Sequence, residues 1–216
     1  MLGPSALVAL LAYHGFLLHK VRTSPFHTRM GINCLARSLW VREMHTENHK
    51  KNVLVVQTLR NSIMESTLLA VMAVLLIVAL ATYYKFFNRS KHLLNNGIDR
   101  SLSSTMATTI KSCSVLTCCF ISLLCHTRSI CFYNYVIYVI NIPIDWWIST
   151  EHIAELLQRA TFLYVLGSRA FYMVFPLLLW VFGSIPMFLC GLALLHVLYY
   201  NDFPHSMSSN ILQNQN

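Results

Sequence analysis

Apolar residues gather into four runs along this chain, and charge returns between them. The clearest covers residues 170–200, 31 positions without one Asp, Glu, Lys or Arg. A bilayer core of ~30 Å takes about 20 apolar residues at helical rise, so this run predicts one membrane-spanning helix with length to spare. Residues 62–84 form a second run, 23 positions interrupted only by Glu65. Residues 112–140 form a third, with His126, Thr127, Arg128 and Ser129 at its centre. Cut at that centre, its halves are too short to span, so one long tilted helix is predicted. Residues 2–18 are the fourth and shortest run. No Lys or Arg precedes it, no small-x-small site ends it, and His19, Lys20 and Arg22 follow at once. That arrangement predicts an uncleaved anchor, not a removed signal peptide.

The stretches between the runs carry a helical period. In the first loop Ile32, Leu35, Ala36, Leu39 and Trp40 recur every three or four residues with Arg37 and Arg42 turned elsewhere, predicting an amphipathic helix at the membrane surface. Asn52 is a good cap for the helix that enters the second run. In the third loop Thr150 caps a helix whose Ile153, Leu156, Leu157, Ala160 and Tyr164 face one way, while Glu151, Glu155, Gln158 and Arg159 face the other. Asn95-Asn96-Gly97 marks a turn in a polar second loop over residues 85–111, Pro143 ends the third run, and Trp146 and Trp147 read as interfacial anchors. Pro176, Gly183 and Pro186 predict kinks in the last span. Ser62, Ser66 and Ala70 repeat at four-residue spacing, a small-residue face on which another helix can pack closely, including one from a second copy of the chain.

The fold class that follows is an all-α integral membrane bundle of four transmembrane helices, with amphipathic interfacial helices in loops one and three. It forms a single domain over residues 1–201, and a short polar tail over 202–216. Composition agrees: 56% of the 216 residues are hydrophobic and only 11% charged, against about a quarter in soluble domains. The net charge of +8 sits in short loops beside apolar runs, where it orients helices, so no nucleic acid is expected as a partner. The first and third loops together hold ten Lys or Arg and the second holds five. With four spans, this places both termini outside the cytosol. Asn88-Arg-Ser is a glycosylation sequon, relevant only to a lumenal or extracellular loop. Five of the seven cysteines fall inside one apolar run and read as packing residues.

Charge within an apolar run is where chemistry concentrates, because it costs ~2.5–3.5 kcal/mol to insert. Arg128 is the leading candidate, and Glu65, the one acidic residue inside a predicted span, is its candidate partner. Gln57, Arg60, Asn61 and Arg169 stand at two predicted span starts on one side, a candidate pocket for an anion or lipid headgroup. Cys118 with Cys125, and Cys119 with His126, share helix faces, yet no C-x-x-C or H-x-x-x-H spacing accompanies them, so no metal is expected. No phosphate loop, nucleophile elbow or zinc-protease helix appears, and no catalytic residue or cofactor is expected. The residues favour a non-catalytic protein acting through the lipid bilayer, through anionic lipids or through protein contacts, including a homo-oligomer. The alternative is a small oligomeric channel or transporter with Arg128 in its pathway.

Several motifs occur in order along the chain. They are Ala12-Tyr-His, Val21-Arg, Gly31-Ile-Asn, Trp40-Val and Asn52-Val-Leu-Val-Val-Gln-Thr-Leu-Arg-Asn-Ser-Ile-Met. Ser129-Ile-Cys-Phe-Tyr, Asn141-Ile-Pro, Gly167-Ser-Arg-Ala-Phe-Tyr, Phe175-Pro-Leu-Leu-Leu-Trp-Val-Phe-Gly and Ile185-Pro follow. Together they resemble the domain of unknown function 599 family, multi-pass membrane proteins of plants and bacteria. The resemblance runs from about residue 10 to 200 and implies a four-helix integral membrane protein, with no activity attached. Glu65 and the polar stretch over residues 88–99 depart from the family pattern.

Overall fold

A computed structural model describes residues 2–24, 27–46, 52–94, 101–141 and 150–203, and among them every regular element is a helix. The long helices are α1 (Leu2–Thr23), α2 (Arg29–Thr46), α3 (Asn52–Leu94), α4 (Ser101–Ile140), α5 (Thr150–Phe182) and α6 (Ser184–Asp202). Trp146, Trp147, Pro143, the turn at Asn95-Asn96-Gly97 and the tail from residue 204 lie outside the described residues. Four helices are long and apolar enough to cross a membrane: Val53–Phe86 within α3, Met106–Ile140 within α4, and α5 and α6 in full. The chain is therefore an all-helical, multi-pass membrane bundle, though its spans are not the four that the runs predict.

The largest difference is in residues 170–200. The expected single span is the second half of α5 and most of α6, and the chain turns back between them at Gly183. Gly183 is extended (φ 163°, ψ 172°). In a continuous helix Pro186 would clash with the carbonyl four residues earlier and deprive it of a donor. In the first turn of a new helix its missing N–H costs nothing. The proline–glycine pair therefore breaks the helix outright, and α6 folds back until Asp202 meets Arg169. Pro176, by contrast, is accommodated inside α5.

The second loop also differs. Residues 85–94 continue α3 and residues 101–111 belong to α4. Neither segment contains Pro or Gly, and each added helical residue gains one backbone hydrogen bond once a helix exists. The amphipathic helix of the third loop is likewise the first half of α5, not a separate element.

Side-chain contacts set the relative depth of the helices. Lys111 donates to the Trp180 carbonyl at 3.0 Å and Ser129 to the Ala160 carbonyl at 2.8 Å, so α4 runs antiparallel to α5. Leu59 packs with Leu157, and Tyr164 bonds Glu65, so α3 runs parallel to α5. Leu7 packs near Val174 and Met187, while Tyr13 reaches Asp202, so α1 runs antiparallel to α5. From Lys111 to Arg128 is 17 residues and from Arg159 to Trp180 is 21, about 26 and 32 Å at helical rise. A hydrocarbon layer of ~30 Å fits between these levels.

Two cores follow from this placement. Val41, Val55, Leu59, Tyr133, Val136, Ile153, Leu157 and Ala160 form a cluster at or beyond the Arg128 level, where burial from water drives packing at about 25 cal/mol per Å². Val115, Cys119, Val174, Leu177 and Met187 form the other, inside the layer. There lipid is as apolar as the side chains, and close packing itself supplies the cohesion.

Candidate functional site

The face of α2 that turns into the bundle is not its apolar stripe. Leu35 and Leu39 are exposed, whereas Met30, Ser38 and Val41 are buried against the bundle. A second stripe lies along the edge of the buried face: Arg29, Asn33 and Arg37, at i, i+4 and i+8. This stripe borders two recesses that meet at Asn33.

The first recess, about 390 Å³, lies among α2, α5 and α6, lined by Arg29, Asn33, Tyr164, Ser168, Arg169 and Asp202, among others. α2 begins at its rim, where Thr28 caps the helix by accepting from the Gly31 N–H at 3.3 Å. A helix start carries about half a positive charge. Arg29 itself has no hydrogen bond or ion pair to any described residue. Deeper in, Arg169 Nη2 donates to Asp202 Oδ1 at 2.5 Å, and the Tyr13 hydroxyl donates to Asp202 Oδ2 at 2.7 Å. Arg169 and Asp202 are 13% and 8% exposed, so this pair is held away from water. The Nε and Nη1 atoms of Arg169 are buried without a partner among the described residues. Arg169 also borders a closed apolar cavity of about 60 Å³, together with His14, Leu17 and Met30. His14 Nε2 is likewise without a partner, and its Nδ1 donates to the Leu10 carbonyl at 2.7 Å.

The second recess, about 400 Å³, opens between α2 and α3 and is lined by Asn33, Arg37, Trp40, Thr58, Ser62 and Leu157, among others. Arg37 is half-buried and donates only to neutral oxygens, the Tyr133 hydroxyl at 3.2 Å and the Thr161 hydroxyl at 3.4 Å. Its charge has no carboxylate partner among the described residues. One turn away on the other side of α2, burial pushes the Cys34 thiol up, and the Arg37 charge pulls it back in part.

Between the first recess and the lipid face of α3 stands Tyr164. Its hydroxyl donates to Glu65 Oε1 at 2.5 Å, and its ring meets His126 edge-on at 5.7 Å between centroids. His126 is fully buried with both ring nitrogens unpartnered among the described residues. The ring fits because position 167 is glycine: a Cβ there would lie 3.0 Å from Cys125 Cβ and from His126 Cδ2 and Nε2. Tyr13, His14, Glu65, His126, Tyr164, Arg169 and Asp202 thus form one layer of ionisable residues across five helices.

The structure separates the two intramembrane charges. Arg128 is exposed on the outside of α4, its guanidinium 5.6 Å from the Phe132 ring centroid, while Glu65 is held by Tyr164. The centre of the apolar run is not the centre of the bilayer, because α4 is 40 residues long and Arg128 stands at the edge of the layer. The residues proposed for an anion pocket are also apart. Gln57, Arg60 and Asn61 are exposed on α3. Leu157 marks their level on α5 and Arg169 lies 12 residues further, about 18 Å at helical rise. Ser66 is fully buried, with Ser62 and Ala70 half-buried, so this small-residue stripe packs within the chain. Among the described residues no group of three or more His, Cys, Asp or Glu is placed to hold a metal ion. Sequence reasoning missed Arg29, Asn33 and Asp202, placed Tyr164 only on a helix face, and weighed His126 only as a metal ligand. Only the four-residue spacing of Arg29, Asn33 and Arg37 was there to be found.

The fold and the charged layer define a multi-pass helical membrane protein with a polar recess reaching into its apolar bundle. The chain belongs to the family described as protein of unknown function, DUF599, which matches residues 1–207. Neither a curated protein nor a solved structure matches it significantly.

Proposed function

We propose that this chain is a non-catalytic membrane protein that acts through lipid contacts, and that the recess beside the start of α2 holds the headgroup of an anionic lipid. The observation that carries this is Arg29. It lines a recess of about 390 Å³ with no carboxylate partner among the described residues, while Asp202 offsets the charge of Arg169. The helix start and Asn33 add neutral donors suited to phosphate oxygens. The position and chemistry of the recess suit a headgroup drawn in from the adjacent leaflet. Lys20, Arg37, Arg60, Arg128 and Arg159 stand at or just beyond the same edge of the layer, and we assign that edge to the cytosol. α6 then ends toward the cytosol and α1 begins on the opposite side. The expectation of two non-cytosolic termini depended on a single span over residues 170–200. Any homo-oligomer uses a face other than Ser62, Ser66 and Ala70.

The test is lipid retention by protein purified in mild detergent, measured by mass spectrometry. Phosphatidylglycerol is retained over phosphatidylcholine. Arg29→Gln lowers that retention about tenfold, the loss of one charge-assisted contact, and leaves thermal unfolding unchanged. Equal retention of the two lipids by the wild-type protein refutes the reading.

A further inference from the structure

We infer that the two recesses along α2 form one site for a lipid that carries two acidic groups, one phosphate in each recess. This rests on the reading of the first recess as a headgroup site and names the class of lipid it selects. Arg29 and Arg37 stand eight residues apart on one stripe of α2, about 12 Å at helical rise. Each lines its own recess, about 390 and 400 Å³, and neither has an acidic partner among the described residues. Asn33, two donors and an acceptor on an amide, borders both recesses and stands midway between the arginines. A lipid with one phosphate satisfies one arginine and leaves the other without an acidic partner among the described residues. A lipid with two phosphates linked by a short polar bridge engages both, and Asn33 meets the bridge.

Two further features favour a lipid over a soluble bisphosphate. The second recess carries Trp40, a residue of membrane interfaces. The outer faces of the same two helices are apolar and exposed, with Leu35 and Leu39 on α2 and Met64 and Leu68 on α3. Acyl chains therefore have a surface to lie on beside the headgroup. An apolar groove bordered by Cys34, Phe132, Phe162 and Leu163 offers a further surface along α2.

The experiment is a titration of the full chain in neutral-detergent micelles with four probes, read by native mass spectrometry. The probes are diphosphatidylglycerol, phosphatidylglycerol, phosphatidylcholine and a soluble alkane-1,n-diyl bisphosphate. Diphosphatidylglycerol is expected to bind at least tenfold more tightly than phosphatidylglycerol. Arg29→Gln and Arg37→Gln are each expected to reduce it to the phosphatidylglycerol level. Arg60→Gln, on the exposed face of α3, is expected to leave it unchanged. Because Arg37 also bonds Tyr133 and Thr161, Arg37→Lys is run beside it: retained binding shows that the charge and not the fold was lost. Equal affinity for the two anionic lipids overturns this inference and leaves the single-headgroup reading standing. No preference of either anionic lipid over phosphatidylcholine overturns both. A soluble bisphosphate that binds as tightly as the lipid overturns the lipid assignment.

Discussion

Asp202 and Arg169 give the sharpest test of how this bundle is held together. The pair is 2.5 Å apart with side chains 8% and 13% exposed, and Tyr13 donates to the same carboxylate. Removing one member of a buried pair leaves an uncompensated charge and costs about 3–5 kcal/mol, whereas replacing both by apolar residues is often close to neutral. The two single losses should differ. Asp202→Leu strands Arg169 with no partner among the described residues on any of its nitrogens, because Nε and Nη1 already lack one there. Arg169→Met leaves Asp202 its bond from Tyr13. The expected order of destabilisation is therefore Asp202→Leu, then Arg169→Met, then the double variant. For a chain of this length, 3–5 kcal/mol corresponds to about 10 °C in unfolding temperature. The assay is thermal unfolding in one detergent, with all four proteins at equal concentration. Losses that simply add would show that the two charges are independently solvated, and the reasoning would fail.

Other expectations follow from single contacts. Gly167→Ala should destabilise by about 1 kcal/mol in thermal unfolding, since overpacking against Cys125 and His126 outweighs the helix propensity gained. A more stable variant would mean that those side chains yield freely. Arg128→Gln should change stability by less than about 1 kcal/mol, the scale of an exposed cation–π contact. A loss above about 3 kcal/mol would place the guanidinium in a buried pair after all. Cys34 should react with maleimide more slowly than a free thiol near neutral pH and gain rate as the buffer is made more alkaline, since its raised pKa holds back the thiolate. A rate that is flat with pH would refute the burial of that thiol.

The runs over residues 62–84 and 112–140 were legible because a bilayer demands a continuous apolar stretch, and α3 and α4 supply one each. The run over residues 170–200 misled for the same reason. Inside a membrane a chain reversal needs no polar residue, so hydropathy passes over Gly183 without a dip. Gly183 and Pro186 were visible, but a kink and a full break share those letters, and only the contacts of Met187 and Asp202 with α5 distinguish them. Arg169 was recognised and its partner was not, because 33 residues separate it from Asp202 and no helical period links them. On α2, Arg37 was read as turned away from the apolar stripe, with no partner named for it. In the fold it turns toward the hydroxyls of Tyr133 and Thr161, which lie on two other helices.

The dry cluster of Val115, Cys119, Val174, Leu177 and Met187 has an electrical consequence. The first recess is open and polar, and its floor at Arg169 lies 11 residues from Trp180, about 16 Å at helical rise. A membrane potential falls across insulating material, so when water fills the recess it falls mainly across that 16 Å and not across the whole ~30 Å of hydrocarbon. The local field is then about twice that in plain bilayer. An elementary charge moved across 100 mV is worth about 2.3 kcal/mol. A phosphate near the mouth of the recess sits outside the steep part of this drop and is held almost independently of voltage. The Arg169–Asp202 dipole stands at its edge, where a change of potential would exert a torque on it.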